Sequence, residues 1–173
     1  SITVYAEQSS PDNHTMRIAR ESPNQPDVVA LVAALDAYQG ALYPAASNYH
    51  LSIDALAQPN VLFAVVRDGN GVAIGCGAVV LFADYGELKR MYVEPAHRGH
   101  GLAQQLLQRL EDEANQRGCP LLRLETGVHQ QQAIAFYARA GYLRCQRYGD
   151  YRADPLSVYM EKRLPASDPV CAR

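Results

Sequence analysis

Residues 87–118, ELKRMYVEPAHRGHGLAQQLLQRLEDEANQRG, form the stretch around which this chain is organised. Residues 88–93 are rich in side chains that suit a pleated surface and read as a strand. Pro95 punctuates a turn whose floor is Arg98-Gly99-His100-Gly101. Leu102, Leu106, Leu107, Leu110 and Ala114 then recur at three-to-four spacing, the period of a helix. Gly118 stops that helix, and Pro120 forbids its continuation. Leu88 and Met91 are out of phase with strand alternation. Burying both requires a bulge between them, which would splay the strand and free backbone groups.

A helix entered this way is an anion seat. Its first turn leaves N–H groups without internal partners, and its aligned peptide dipoles make that end partly positive. Gly99 and Gly101 let the backbone approach a ligand with no Cβ in the way, and Arg98 adds a permanent cation. The natural guest is phosphate, above all a pyrophosphate. A Walker loop would end in Gly-Lys-Ser/Thr, which this turn lacks. The dinucleotide fingerprint fails as well, because Gln104 stands where its third glycine belongs.

What remains is Arg98-x-x-Gly101-x-Ala103 behind a strand that carries Glu87. This pattern resembles the acetyl-CoA signature of the GNAT superfamily of N-acetyltransferases, Arg/Gln-x-x-Gly-x-Gly/Ala. Further on, Ala133, Tyr137, Gly141 and Tyr142 resemble the family's second block, Ala-x-x-x-Tyr-x-x-x-Gly-Phe/Tyr. The blocks stand in family order with a strand between them, and the resemblance covers nearly the whole chain. It implies an α/β fold with a mixed, mostly antiparallel central sheet of about six to seven strands, flanked by helices. It also implies that the sheet is splayed at the cofactor cleft.

The resemblance also implies an acetyl-CoA-dependent N-acetyltransferase that acylates a primary amine by direct attack in a ternary complex. It seats the pyrophosphate against Arg98, Gly99, Gly101, Leu102 and Ala103. His100 adds a phosphate contact or is simply an exposed turn histidine. The pantetheine amides pair with the backbone of Met91, Tyr92 and Val93, and the Val93 N–H becomes the oxyanion donor. The family often carries Asn where this chain has Gln130. Gln130 either reaches the pantetheine arm with its longer side chain or leaves that contact unmade.

Amine acylation has three demands. The amine, with a pKa near about 10.4, must be neutral; the oxyanion needs a preplaced donor; and the departing thiolate benefits from a proton. The resemblance makes Glu87 the candidate general base, acting through water, because the family often places a carboxylate at this end of the strand; Glu87 would equally serve as a strand-end glutamate paired with Lys89 or a neighbour. Tyr137 is the candidate general acid, though its place on the apolar stripe of its helix also suits a core residue. Asp150-Tyr151-Arg152, together with Tyr38, Tyr43 and Tyr49, are candidates to line the acceptor site.

At 173 residues the chain reads as one domain, 13–164, with a flexible extension over 1–12 and a flexible tail over 165–173. A net charge of -2 gives no electrostatic reason to expect nucleic acid or an anionic membrane as partner. No apolar run approaches the roughly 20 residues of a membrane span, and no signal peptide is visible, so the cytoplasm is the default. Cys76, Cys119, Cys145 and Cys171 form no CxxC pair or zinc-spaced cluster, and read as reduced thiols with no metal.

Along the chain, residues 14–20 read as a strand, and Asp27 caps a helix that runs out near Gly40. Residues 41–60 are irregular apart from a helical turn at 52–57. Residues 61–67 and 72–82 are hairpin partners, the second interrupted by Gly75 and Gly77. Strands at 121–126, 142–147 and 156–162 and a helix at 131–140 complete the pattern. The acceptor is a small-molecule or protein amine, and a homodimer is possible, with an unpaired final strand as one route. Two rival readings keep the phosphate turn. One is a non-catalytic acyl-CoA-binding module. The other is a transferase for a donor such as succinyl-CoA, which would want an extra cation in the cleft.

Overall fold

The computed structural model describes residues 15–44 and 51–165. The expected extension over 1–12, most of the expected tail, and Tyr49 therefore lie outside the described residues. The elements are β1 (Arg17–Arg20), α1 (Pro26–Leu42), α2 (Ile53–Leu56), β2 (Val61–Arg67), β3 (Ala73–Leu81), β4 (Gly86–Val93), α3 (Leu102–Gln116), β5 (Leu121–Gly127), α4 (Gln131–Arg139), β6 (Leu143–Cys145) and β7 (Ser157–Arg163). They build a seven-stranded sheet in the order β1-β2-β3-β4-β5-β7-β6. Every neighbouring pair is antiparallel except β4 and β5.

The apolar run of β2 is explained by cover on both faces. Val61, Phe63 and Val65 pack with Val28, Leu31 and Val32 of α1 and Leu56 of α2. Leu62, Ala64 and Val66 pack on the opposite side with Leu102, Leu106, Leu107 and Leu110 of α3. Glu111 on α3 is buried and tied, accepting from Lys162 Nζ at 2.7 Å and from the Tyr142 hydroxyl at 3.2 Å.

The expected bulge is present in β4. Cys76 pairs with Tyr92 and Ala78 with Lys89, so Arg90 and Met91 together face Gly77. Arg90 carries the bulge at φ 55°, in the left-handed region that a side chain rarely occupies. Gly77 is bare where a Cβ would collide with the Met91 sulfur. Leu88 and Met91 accordingly both pack into the same core.

Several expectations need correction. Gly40 does not end α1, which continues to Leu42. A helical glycine costs only about 1 kcal/mol, and it is Pro44 that follows the true end. Gln25, not Asp27, is the N-cap residue, and Asp27 instead meets Arg67 at 2.7 Å. Gly75 and Gly77 do not interrupt β3. The predicted strand over 142–147 shrinks to Leu143–Cys145, since Tyr142 turns inward to Glu111. The last strand, β7, is no free edge; it lies between β5 and β6. Among the described residues, no helix is long and apolar enough to cross a membrane, and no acidic, histidine or cysteine group is arranged to hold a metal.

Candidate active site

The site begins where the sheet comes apart. β4 and β5 are in register only at Gly86–Leu122 and Glu87–Arg123. Beyond that point β4 has β3 on one side and no strand on the other. Glu94 N–H donates to Ile74 O of the β3 side. Strand alternation therefore turns the preceding amide, Val93 N–H, toward the open side.

A cavity of ≈ 820 Å³ runs along this opening. Its walls bring together Met91, Tyr92, Val93, Arg98, Ala103, Gln130 and Tyr137, seven of the residues singled out in the sequence. Gly99, His100 and Gly101 are exposed and flanked by Arg98 and Ala103, but do not line the cavity themselves. Gly99 and Gly101 sit at φ 85° and 76°, the backbone state that only glycine adopts without strain. As N-cap of α3, Gly101 has no side chain to offer, so the amides of 102–104 keep no intrahelical acceptor. The Leu102 side chain is buried in the core, which leaves only its backbone for a ligand. Arg98 donates from Nε to Val93 O at 2.8 Å and lies over the Tyr92 ring at 5.6 Å. Its guanidinium is thus held at the start of the helix.

Gln130 serves first as a staple. Its side-chain carbonyl accepts from Gly127 N at 3.0 Å and Thr126 Oγ1 at 3.1 Å, fixing the turn from β5 into α4. Tyr43 packs over the same turn and accepts from His129 N at 3.1 Å. It braces the turn; it does not line the cavities. Tyr38 does line the large cavity.

A smaller cavity, ≈ 100 Å³, opens from the same walls, sharing Gln39, Met91, Gln130, Ala133 and Tyr137. Tyr137 is buried and held edge-on against Phe136 and Tyr142, with ring centroids 5.2 and 5.6 Å away. Burial pushes its phenol well above the ordinary value, so it remains protonated through neutral pH. The same cavity holds a group that the sequence reading missed, Glu125 on β5. Burial raises this carboxyl, opposed by a hydrogen bond from Ser157 and the charge of Lys89. Alternation along Leu-Arg-Leu-Glu-Thr signalled only a polar face; that the face opens into a cleft depends on the splay.

Lys89 and Tyr151 line both the small cavity and a third one of ≈ 610 Å³. Glu87 lies on this third cavity and not on the large one. It is buried, and Lys89 Nζ stands 3.0 Å from its Oε1 and 2.9 Å from the Tyr151 hydroxyl. The ion pair weighed against a catalytic role for Glu87 is therefore real. The Tyr148 hydroxyl also faces this carboxylate, at a geometry short of a hydrogen bond. Asp150 and Tyr151 line the third cavity, whereas Arg152 does not. The three cavities form a path through the splayed sheet, with Glu125, Lys89 and Tyr137 at its narrow centre.

Arg90 braces that centre from behind. Its guanidinium donates to Asp36 of α1 at 2.8 and 3.3 Å and to the Leu51 carbonyl at 2.7 Å. Cys76 is unsuited to nucleophilic work: burial pushes its thiol up to about 12.

The model of the acetyltransferase (GNAT) family matches residues 28–142. A protein named IAA acetyltransferase from Azospirillum brasilense is 48% identical over 149 residues, 85% of this chain and 97% of its own length. A crystal structure from Klebsiella pneumoniae, described as a candidate acyl-CoA N-acyltransferase, superposes with a TM-score of 0.75 at 43% identity, covering 88% of this chain and 99% of that one. The PaiA N-acetyltransferase of Thermoplasma acidophilum, solved with coenzyme A, gives a TM-score of 0.64 over 86% of this chain and 98% of its own. At 18% identity that likeness is one of fold alone. With the family model spanning most of the folded region and close relatives matched over nearly their full lengths, this chain belongs to the acetyltransferase (GNAT) family and is an acyltransferase.

Proposed function

We propose that the chain is an acetyl-CoA-dependent N-acetyltransferase whose acceptor is a primary amine. One observation carries this reading: the β4 bulge at Arg90 and the opening beyond Glu87 leave the Val93 N–H facing a cleft that Tyr137 also lines. A thioester carbonyl placed there meets an oxyanion donor and a phenol at once. The acetyltransferase family match and the relative named IAA acetyltransferase support an acetyl donor, and a thioester of coenzyme A is the donor we propose.

In this reading Arg98 and the amides of 99–103 hold the pyrophosphate, and the backbone of Met91 and Val93 aligns the pantetheine. The acceptor enters from the Glu87 side. A carboxylate takes the proton of its ammonium through water, and the freed lone pair attacks the carbonyl carbon. Val93 N–H steadies the oxyanion. As the C–S bond breaks, Tyr137 donates its proton to the departing thiolate; the attacking nitrogen gives up its second proton to water as it becomes the amide, and the phenol is reprotonated from that water. Glu87 and Glu125 are the two candidates for the base, one lining the third cavity and the other the narrow centre.

The test is calorimetric titration with coenzyme A, followed by release of free thiol from acetyl-CoA with a panel of amines. Binding that disappears in Arg98→Ala and thiol release that requires an amine are the expected results. Amine-independent binding with no thiol release would instead favour an acyl-CoA-binding module.

A further inference from the structure

The third cavity has a chemistry of its own, and its occupant can be read more narrowly than as an amine. Leu51, Val80, Phe82, Tyr85 and Tyr151 give it apolar and aromatic walls. Phe82 is 50% exposed and lies against Tyr85, ring centroids 4.9 Å apart. An exposed phenyl ring at the lip of a cavity is apolar surface offered to a guest. The Tyr85 ring is fixed in turn by the Arg123 guanidinium, 4.8 Å from its centroid, and Tyr151 stands edge-on to Tyr148 and Tyr159 at 5.3 and 5.5 Å. These walls are preorganised.

The charges are few. Glu87, Asp150 and Lys89 line the cavity, and no other cation does so among the described residues. Lys89 is already paired with Glu87 at 3.0 Å and bound to the Tyr151 hydroxyl at 2.9 Å. A substrate carboxylate would have to compete for that one ammonium while facing Asp150. A polyamine or aminoglycoside would find Asp150 for one further ammonium and press the rest against Leu51, Phe82 and Tyr85, where desolvation is uncompensated. One ammonium on an apolar body meets neither penalty.

We infer that the acceptor is an arylalkylamine-type monoamine: a single primary ammonium directed toward Glu87, an aromatic body against Phe82 and Tyr85, and no carboxylate. This inference rests on the acetyl-transfer reading and deepens it. Four amines test it: 2-phenylethylamine, ethylamine (no ring), L-phenylalanine (ring plus carboxylate) and spermidine (several charges), each assayed for kcat/KM with saturating acetyl-CoA. The expected order places 2-phenylethylamine about tenfold or more above each of the others. In Phe82→Ala the ratio of 2-phenylethylamine to ethylamine should fall several-fold, with the KM for acetyl-CoA unmoved; a merely structural loss would depress both amines alike. Turnover that favours L-phenylalanine or spermidine, or a ring preference unchanged in Phe82→Ala, overturns the inference and leaves acetyl transfer standing. Coenzyme A binding with no amine acetylated overturns both.

Discussion

The two ends of the path through the sheet are built on different principles. The end we propose for the cofactor is made largely of backbone: the amides at the start of α3, the Val93 N–H turned outward, and glycines at φ 85° and 76°. The end we propose for the acceptor is made of side chains drawn from α2, the turn before β4, β4 itself and the segment before β7. A backbone site depends on local conformation, which consecutive residues dictate. A side-chain site depends on which distant segments meet, and so it can diverge without disturbing the fold. A ligand shared across a family belongs at the first end and the variable acceptor at the second.

That contrast can be broken by experiment. The largest effect is expected from Arg98→Ala combined with Gly101→Asp. It removes a charge-assisted contact, forces a side chain into the left-handed region and sets a carboxylate at the positive helix end. Coenzyme A should bind about a thousandfold more weakly by calorimetry. Amine KM measured at saturating acetyl-CoA should barely move; a large rise there would mean that the two ends are not separable.

Arg90→Ala comes next, because Arg90 joins them: its guanidinium holds Asp36 and Leu51 while its backbone makes the bulge. Losing its hydrogen bonds to the Asp36 carboxylate and the Leu51 carbonyl should cost about 3 kcal/mol in chemical denaturation. Arg90→Gly, which relieves the strained φ, should recover part of that loss without restoring the clamp.

The general base sharpens the comparison, since one candidate sits at each position. Glu125 titrates above an ordinary carboxylate because burial disfavours its charge. A base works only when deprotonated, so activity carried by Glu125 should rise with pH through that elevated value, above the ordinary ~4.3. Glu125→Gln should then remove the acid limb and cost about a hundredfold in kcat/KM. If Glu87→Gln removes it instead, the base belongs to the acceptor end. Tyr137→Phe should have the smallest effect, about tenfold in kcat with coenzyme A affinity preserved. A thiolate with a pKa near about 8.5 is a fair leaving group even without a proton donor. Unchanged turnover would return Tyr137 to the core it shares with Phe136 and Tyr142.

The residues themselves show where reading the sequence stops. The bulge was legible because Leu88 and Met91 are three apart and both apolar, a mismatch that only an extra residue resolves. That Arg90 would occupy it was not, since its reasons are Asp36 and the Leu51 carbonyl, both remote in sequence. Glu87 was legible as a carboxylate at the start of β4, but its ion pair with Lys89 had to be seen before its availability could be weighed. Glu125 looked like any polar residue on an alternating strand.

Sequence alone determined the strand–turn–helix unit with its glycine turn, the two family blocks and the apolar runs that a two-faced sheet must bury. All of these follow from steric and hydrophobic periodicity acting over neighbouring residues. Tertiary structure alone decided that β4 and β5 separate after two paired residues, that Glu125 and Lys89 face each other's charge across that gap, and that tyrosines from separate segments enclose the far cavity. The physical reason is that desolvation and charge pairing are set by whatever lies nearby in space, and only the packed chain brings those groups together.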